Sequence, residues 1–372
     1  MDYLPFARPT LDEAMIAAVA DTLRSRWIAT GPRVAAFEKA LSDYVGGRPV
    51  RTLTSATAAM EVALELLGVG PGHEVITPSQ SFFATANMIE RVGATTVFVD
   101  VDLATRNIDM AQAEAAVSPR SRVLLPTHYN APIDPKVLQR FREKHGVRII
   151  EDAALAIGSR IGGKPVGAAG DVVSFSFHPN KNMTTIEGGA ISGGSSDELK
   201  AIELERWHGQ VKSGLDGFDT LIAGGKANLS DVAAAVGLGQ LRHLEEFNAK
   251  RRQLVARYYE LWKDDPPVRL PERGDDGHSW HVFTPLLPLD RMRITRPQFM
   301  QAMKEQNIAV GVHYPAIHLF TAYRAMGYRE GQFPNAERIG RQTVTLPLFT
   351  AMELTDVDRV VTTVNGILRG AR

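Results

Sequence analysis

Residues 175–182, Phe-Ser-Phe-His-Pro-Asn-Lys-Asn, end a short apolar strand pattern and place one lysine just beyond it. Residues 149–154, Ile-Ile-Glu-Asp-Ala-Ala, form an earlier apolar strand pattern that ends on an acid pair. In open α/β sheets, ligands bind beyond the carboxyl ends of the strands. The two segments therefore place Asp152, Ser176 and Lys181 where chemistry is expected.

The surrounding sequence, from about residue 51 to residue 193, alternates short apolar runs with helical patterns. The predicted strands cover residues 74–77, 96–100, 123–126, 147–150 and 172–177. The predicted helices between them cover residues 57–67, 83–92, 111–116 and 135–144. Because strands that alternate with helices form parallel sheets covered on both faces, we expect an α/β fold with a mostly parallel sheet.

The segments on either side of this region are mostly helical in pattern. A capping box at residues 10–13 predicts a helix that runs to about residue 24. Further elements are predicted as helices over residues 34–44, 230–262, 296–306 and 355–368 and as a strand near 282–287. We therefore expect a large domain over residues 1–245 and a smaller C-terminal α+β domain over residues 246–372.

The composition excludes several classes of function. The 372-residue chain is 44% hydrophobic and 23% charged, which is typical of a globular protein too long for one compact core. Basic and acidic residues number 42 each, so no net field attracts nucleic acid or a membrane surface. The absence of cysteine excludes disulfides, thiol catalysis and cysteine-ligated metals, and we expect no metal site. With neither a signal-peptide pattern nor a membrane-spanning apolar run, a cytoplasmic protein is expected.

Lys181 and Asp152 together match the chemistry of a pyridoxal phosphate (PLP) enzyme. A lysine amine forms a Schiff base with this cofactor, and a carboxylate keeps the pyridine nitrogen protonated so that the ring accepts electrons. An aspartate at the end of an apolar strand is costly to bury unpaired, and a protonated ring nitrogen would be a partner. Taken alone, Asp152 is equally well explained as an N-cap or turn residue, and Lys181 as a surface lysine.

Two further segments supply groups that a PLP site needs. The small residues 54–60 run straight into a helix whose free N–H groups would bind a phosphate, and Ser176 would add a hydroxyl. Phe82 follows a predicted strand and has the flat face needed to stack on a pyridine ring. Each feature has an ordinary alternative, since Ser and Thr are common N-caps and a phenylalanine is more often part of a core.

The order and spacing of these segments resemble the DegT-type (DegT/DnrJ/StrS) sugar aminotransferases, PLP enzymes of fold type I, the aspartate aminotransferase fold. The resemblance covers nearly the full chain. The matching segments are residues 27–32, 55–60, 77–87, 100–102, 151–154, 175–181, 187–189, 228–231, 312–314 and 346–349.

Carried over by position, the resemblance implies a role for each candidate residue. Lys181 would be the Schiff-base lysine and the proton shuttle, and Asp152 would pair with the pyridine nitrogen. Phe82 would stack on the ring. The residues that hold the phosphate would be Ala56, Thr57 and Ser176.

The resemblance also implies a homodimer in which two subunits share each active site. Lys226 and Asn228 would reach the cofactor phosphate of the partner chain. His313 and Tyr314 would lie in a loop that faces the substrate.

Three positions depart from the usual family pattern. Ala56 stands where many members have glycine, which a negative φ would accommodate. Lys226-Ala227-Asn228 replaces Asn-x-Arg and resembles the subgroup that makes 4-amino-4-deoxy-arabinose and similar 4-amino sugars. Leu155 stands where relatives carry a glutamine or histidine that contacts the 3′-oxygen of the cofactor, and leucine donates no hydrogen bond. Either another side chain takes this role, or the electronics of the cofactor differ.

The resulting hypothesis is a two-stage transamination in amino-sugar biosynthesis, for example of lipopolysaccharide or antibiotic sugars. The amino donor is expected to be glutamate, and the acceptor a keto sugar, nucleotide-linked and aminated at C4. A PLP-dependent sugar dehydratase is one alternative, although relatives that eliminate water carry histidine in place of Lys181. A non-catalytic scaffold or regulator is the other, favoured only by Leu155.

Overall fold

A seven-stranded sheet forms the centre of the computed structural model, which describes residues 2–129, 131–215 and 217–371. Its strands are β1 (Val50–Leu53), β2 (Glu74–Pro78), β3 (Thr95–Val99), β4 (Ser121–Leu124), β5 (Arg148–Asp152), β8 (Val172–Ser176) and β9 (Gly189–Gly193). Two short hairpins pair β6 (Arg160–Ile161) with β7 (Lys164–Pro165) and β10 (Gln210–Ser213) with β11 (Gly217–Thr220).

The strand order in the large sheet is β1-β9-β8-β5-β4-β2-β3. The five strands from β8 to β3 pair in parallel, whereas β9 runs antiparallel to both of its neighbours, β8 and β1. The prediction of an α/β fold with a mostly parallel sheet is therefore confirmed, and the five predicted strands of the central region are β2, β3, β4, β5 and β8.

Twelve α-helices are present in the described residues. They are α1 (Glu13–Ser25), α2 (Pro32–Tyr44), α3 (Ala56–Leu66), α4 (Ala84–Arg91), α5 (Met110–Ala115), α6 (Pro135–His145), α7 (Ser196–Glu205), α8 (Asp231–Leu261), α9 (Arg296–Glu305), α10 (Thr321–Ala325), α11 (Pro334–Gln342) and α12 (Leu354–Gly370). Short 3₁₀ turns lie at Leu289–Arg291 and Ile317–Leu319.

Both faces of the sheet are covered by helices, and successive strand residues alternate between them. Ile150 and Val172 belong to the cluster that packs beneath α3. Ile149 packs on the opposite side with α6, and Val173 packs there with α2 and α8. Burial on both faces explains why these strands read as continuous apolar runs in the sequence.

The first helix begins differently from the prediction. The predicted capping box at residues 10–13 is wrong, because the N-cap is Asp12, whose Oδ1 accepts a hydrogen bond from Met15 N at 2.7 Å. The hydroxyl of Thr10 instead lies 2.5 Å from that of Thr350, and its carbonyl oxygen accepts from Gln240. Thr10 therefore makes tertiary hydrogen bonds and does not cap the helix.

A second group of buried residues lies around the end of α8, together with α9 and α12. Leu254 and Tyr258 pack there with Phe299, Val360 and Leu4. The strand predicted near residues 282–287 is wrong, since that segment makes only isolated bridges to residues 269, 343 and 346. The predicted boundary at residues 245 and 246 falls inside α8, and the division into two domains stays a prediction.

No helix within the described ranges has both the length and the apolar content that crossing a bilayer requires.

Candidate active site

A cavity of about 340 Å³ opens beyond the carboxyl ends of β2, β4, β5 and β8. Among the residues that line it are eight of the ten predicted site residues, namely Ala56, Thr57, Phe82, Asp152, Ser176, Lys181, His313 and Tyr314. Segments far apart in sequence thus meet at one edge of the sheet, as expected for a parallel α/β fold.

Lys181 lies in the loop that follows β8, and its backbone N–H donates to the carbonyl oxygen of His178 at 2.9 Å. The residue is half-buried because its side chain borders the cavity. Desolvation lowers the pKa of the amine to about 8, and the charge of Asp152 opposes this shift. About one tenth of the amine is therefore neutral, and able to act as a nucleophile, at pH 7.

Asp152 is the last residue of β5 and is almost fully buried. Its Oδ2 accepts a hydrogen bond from the hydroxyl of Thr85 at 2.8 Å, and its Oδ1 accepts from Ala154 N at 3.1 Å. Each carboxylate oxygen keeps further acceptor capacity, because an ionised carboxylate accepts about four hydrogen bonds. The carboxylate is thus held in place and can still accept from a group in the cavity.

The neighbouring acid of the predicted pair has a different environment. Glu151 points away from Asp152, as alternation along a strand requires, and its Oε2 lies 2.8 Å from Nε2 of His128. Nδ1 of His128 accepts from Ile133 N at 2.9 Å, so the proton of the neutral ring is on Nε2 and is donated to Glu151. Glu151 therefore connects two strand ends and does not line the cavity.

The N-terminus of α3 forms the other end of the cavity. Ser55 caps the helix by accepting from Ala58 N at 3.0 Å, while the cavity-lining residues Ala56 and Thr57 carry the first helical N–H groups. Within the described residues, these two N–H groups have no hydrogen-bond acceptor. Gly189 lies so close that a Cβ there would be 2.4 Å from Ala56 N. Free amides at a helix N-terminus are suited to bind a phosphate.

The aromatic wall of the cavity contains Phe82 and Tyr314, whose ring centroids are 5.8 Å apart. Phe82 is 45% exposed, which for a cavity-lining phenylalanine leaves a ring face open to a ligand. Leu155 packs against Tyr129 and Tyr314, so this part of the wall is apolar. The carbonyl oxygen of Tyr314 accepts from Gln80, but its hydroxyl has no hydrogen-bond partner in the described residues.

Two buried histidines lie near Lys181. His313 lines the cavity, and its Nδ1 is 2.7 Å from the hydroxyl of Thr345. Burial, and then the charge of Lys181, lower the pKa of His313 to about 4. The pKa of His281 is likewise lowered well below its usual value, mainly by burial. Both imidazoles are therefore neutral in the cofactor-free protein at neutral pH.

Lys226 and Asn228 do not line this cavity. The amine of Lys226 lies 4.0 Å from the ring centroid of Trp207 and hydrogen-bonds to Oδ1 of Asn228. Asn228 Nδ2 donates to the hydroxyl of Thr30 at 2.5 Å. The structure thus separates these two predicted phosphate ligands from the other eight site residues of the same chain.

Sequence reasoning missed several polar residues of the site. The hydroxyls of Ser81, Thr85 and Thr127 and the ring of His281 surround Asp152 and Lys181. Ser81 and Thr85 fell within a segment that matched the family pattern, but hydroxyl residues after strands are common in turns. No local signal distinguishes a hydroxyl that contacts Asp152 from one that caps a helix.

The fold and the cavity together define a class, the fold type I enzymes that bind a cofactor between a lysine and a strand-end aspartate. Comparison with known proteins specifies the family within this class. Residues 9–365 match the DegT/DnrJ/EryC1/StrS aminotransferase family, and the chain belongs to that family.

Individual relatives agree with this assignment. The spore coat polysaccharide biosynthesis protein SpsC of Bacillus subtilis (strain 168) is 34% identical over 381 residues, which cover 99% of this chain and 98% of SpsC. Spr1654 of Streptococcus pneumoniae, described as a sugar aminotransferase and solved in a PLP form, is 31% identical with a TM-score of 0.94, covering 99% of both chains. DesV of S. venezuelae is 31% identical with a TM-score of 0.90 and the same coverage.

The protein is thus a PLP-dependent sugar aminotransferase, and its cavity fits the cofactor. A lysine with a depressed pKa, a buried carboxylate with spare acceptor capacity and a helix N-terminus with free amides all border one space. These groups match the aldehyde, the protonated ring nitrogen and the phosphate of PLP, respectively. The predictions of the family, the fold type, the enzyme class and the cofactor are confirmed.

Proposed function

We propose that this enzyme transfers the amino group of glutamate to C4 of a nucleotide-linked keto sugar, with Lys181 and Asp152 as its catalytic residues. The single observation that carries the residue assignment is that Lys181 and Asp152 border the same cavity and influence each other electrostatically. The preference for C4 rests on the resemblance of Lys226-Ala227-Asn228 to the subgroup that makes 4-amino sugars. We further propose that the enzyme works in the cytoplasm.

Lys181 has two functions in this proposal. Its amine would hold the aldehyde end of PLP, and once an amino substrate has displaced it, the same amine would take up and return a proton at the substrate carbon. A depressed pKa suits both functions, because a neutral amine is the nucleophile and the base. PLP, when bound, supplies the conjugated ring that stabilises negative charge at the substrate carbon.

Asp152 and the α3 N-terminus orient the two ends of the cofactor. The Asp152 carboxylate accepts the N–H of the pyridine ring and keeps that nitrogen protonated. The amides of Ala56 and Thr57, with the hydroxyls of Thr57 and Ser176, bind the phosphate. Phe82 covers one face of the ring, and His313 and Tyr314 border the space for the substrate.

A homodimer with shared active sites accounts for the position of Lys226 and Asn228 outside the cavity of their own chain. The hairpin of β10 and β11 exposes Leu215, Phe218 and Leu221. Trp27 and Ile28 are also exposed. Such apolar side chains favour association with a partner surface.

Hydrogen bonds connect these exposed segments to one another. A backbone bridge pairs Trp207, just before the hairpin, with Lys226, just after it. Asn228 in turn bonds to Thr30, which follows Trp27 and Ile28. We propose that a second copy of the chain covers this region and receives Lys226 at the phosphate of its cofactor.

The catalytic assignment is tested by comparing Lys181→Ala with Lys200→Ala, a matched change of an exposed lysine on α7. The measurement is 2-oxoglutarate release from glutamate with a panel of keto sugars, and mass spectrometry of the sugar product locates the amine. Lys200→Ala should keep the wild-type rate, and Lys181→Ala should release no 2-oxoglutarate. Turnover by Lys181→Ala would refute the lysine assignment, and a deoxygenated product without nitrogen would indicate a dehydratase.

Shared active sites are tested by co-expressing Lys181→Ala with Lys226→Ala chains. If each site takes Lys181 from one chain and Lys226 from the other, a mixed dimer contains one intact site. Random pairing of two inactive chains should then restore about one quarter of wild-type activity. If each site belongs to one chain, no mixed dimer contains an intact site, and activity should stay at the level of the separate variants.

A further inference from the structure

Three buried hydroxyls form a chain that ends on the carboxylate of Asp152. The hydroxyl of Thr127 donates to that of Ser81 at 3.0 Å, Ser81 lies 2.9 Å from the hydroxyl of Thr85, and Thr85 donates to Asp152 at 2.8 Å. The three hydroxyl residues are at most 2% exposed. No solvent is therefore available to replace any of these hydrogen bonds.

The direction of the chain follows from the number of protons. Each hydroxyl has one proton to donate, and an ionised carboxylate only accepts. Thr85 gives its proton to Asp152, so the proton between Ser81 and Thr85 must come from Ser81. Ser81 in turn accepts from Thr127. All three bonds point the same way, and hydrogen bonds in such a chain strengthen one another.

The chain links three strand exits that are distant in sequence. Ser81 follows β2, Thr127 follows β4, and Asp152 ends β5. The backbone fixes the far end as well, since Asp152 N donates to the carbonyl oxygen of Pro126 at 2.9 Å and the carbonyl oxygen of Asp152 accepts from His128 N at 3.0 Å. The residues on either side of Thr127 are therefore hydrogen-bonded to the backbone of Asp152. The side chain of the same aspartate accepts the last hydrogen bond of the hydroxyl chain.

The segment of residues 79–81, which follows β2 and contains Ser81, also contacts the substrate side of the cavity. The carbonyl oxygen of Ser79 accepts from Ile317 N at 2.7 Å, and Gln80 Nε2 donates to the carbonyl oxygen of Tyr314 at 3.3 Å. Ser81 follows these two residues directly. The position of the Tyr314 loop and the orientation of the Asp152 carboxylate are thus set by one short segment.

We propose that Thr85, Ser81 and Thr127 form a positioning relay that fixes the Asp152 carboxylate toward the pyridine nitrogen of PLP. This inference rests on the proposed role of Asp152. All three residues border the cavity, and the role proposed for them is to act through the aspartate. Of the three residues, Thr85 has the largest effect because its hydroxyl is the one that donates to the carboxylate.

The test compares Thr85→Val with Thr85→Ser and with Thr77→Val in the full-length holoenzyme. Valine removes the hydroxyl at nearly constant volume, and serine keeps it. Thr77 is the matched control, because it is also fully buried and donates to a backbone carbonyl, that of Leu125, at 2.8 Å. The measurements are the dissociation constant of PLP, the pH titration of the absorbance of the bound cofactor, and the free energy of unfolding without PLP.

Thr85→Val should weaken PLP binding about tenfold, the size expected for one hydrogen bond to a charged group, and should shift the absorbance titration. Thr85→Ser should remain within about twofold of the wild type, and Thr77→Val should alter only the unfolding free energy. Ser81→Ala and Thr127→Val should give smaller shifts in that order. The relay proposal would be overturned if Thr85→Val and Thr77→Val lowered the free energy of unfolding equally and Thr85→Val left the absorbance titration and the PLP dissociation constant unchanged.

Borohydride reduction separates this result from the proposed function. The wild type and every relay variant should retain PLP covalently on Lys181 after reduction, as located by peptide mass spectrometry. If the wild type retains PLP on another residue, the catalytic assignment fails whatever the relay variants do. If Lys181 is labelled and Thr85→Val behaves as the wild type, only the relay fails.

Discussion

The amide of Asn182, the residue directly after Lys181, donates from Nδ2 to Oδ1 of Asn248 on α8 at 2.7 Å. The same nitrogen donates to the carbonyl oxygen of Ser279 at 2.8 Å, and Oδ1 of Asn182 lies 3.2 Å from Nδ1 of His281. The loop that carries the lysine is therefore attached to the long helix and to residues 279–281 through one buried side chain.

Asn182→Ala should leave buried partners without hydrogen bonds and lower the free energy of unfolding by about 1–3 kcal/mol. It should also slow the capture of PLP, because the backbone next to Lys181 loses its attachment. Urea unfolding and the rate of PLP reconstitution measure the two effects. Gln301→Ala, which removes an exposed amide bonded within α9, is the control and should change stability by less than about 0.5 kcal/mol. Equal stabilities of the two variants would contradict this account of the loop.

The pKa of Lys181, lowered to about 8 from 10.5, predicts how PLP capture depends on pH. The neutral amine attacks the aldehyde, so the reconstitution rate of the cofactor-free enzyme should rise up to about pH 8 and then level off. Stopped-flow absorbance after mixing with PLP gives this profile. A rate that kept rising to pH 10.5 would show that the cavity does not depress the pKa.

The same shift has a consequence for stability. Between about pH 8 and 10.5 the unfolded chain holds the Lys181 proton and the folded chain does not, so the free energy of unfolding rises with pH in this window. Below the window both states are protonated, and the contribution is constant. Burial raises the pKa of tyrosines such as Tyr258 and Tyr314 and gives stability a separate pH dependence, so the measurement is the difference between wild type and Lys181→Met. The difference should vary only inside the window.

The sequence predicted the parallel core of the fold but not its antiparallel part. β5 contains Ile149 and Ile150, and β8 contains Val172, Val173 and Phe175, and buried apolar residues at successive positions are typical of parallel strands. β9, Gly189–Gly193, has glycine at both ends and is a strand because β8 and β1 pair with it on either side. The hairpin of β10 and β11 is exposed and lacks apolar alternation. Pairing with distant segments, absent from any local pattern, determines these strands.

The same distinction holds for the site. The sequence indicates Lys181 and Asp152 as candidates because each lies at a strand exit and the two together match the chemistry of PLP. Ser81, Thr85 and Thr127 are not indicated, because hydroxyls after strands are ordinary turn residues. They become neighbours of Asp152 only through the strand order β5-β4-β2, in which β4 pairs with β2 although β3 lies between these two strands in the sequence. Lys226 and Asn228 were assigned by resemblance alone, and their position outside the cavity leaves that role a prediction.

A polar substitution at Leu155 should lower the stability of the cofactor-free protein and increase the stabilisation by PLP. It is 6% exposed and packs with Tyr129 and Tyr314, so Leu155→Gln should destabilise the cofactor-free protein by about 1–3 kcal/mol through an unpaired amide. Family resemblance places this position beside the 3′-oxygen of PLP, which would accept from the new amide. The increase in Tm on adding PLP should therefore be larger for Leu155→Gln than for the wild type. Leu155→Met, apolar and similar in volume, is the control, and an equal increase in all three would contradict the placement.

Gly189 lies so close to the start of α3 that a substitution there tests whether the cofactor phosphate binds at this helix N-terminus. A Cβ at this position would lie 2.3 Å from Ser55 C and 2.4 Å from Ala56 N, both backbone atoms, so β9 or the start of α3 would have to move. Gly189→Ala should lower the free energy of unfolding by about 1–3 kcal/mol and weaken PLP binding, because the free amides of α3 are displaced. Gly366→Ala on α12 is the matched control, since a Cβ there meets no atom within 4 Å. That change should raise stability by about 0.5–1 kcal/mol and leave PLP affinity unchanged. Tight PLP binding by a destabilised Gly189→Ala would place the phosphate away from the α3 N-terminus.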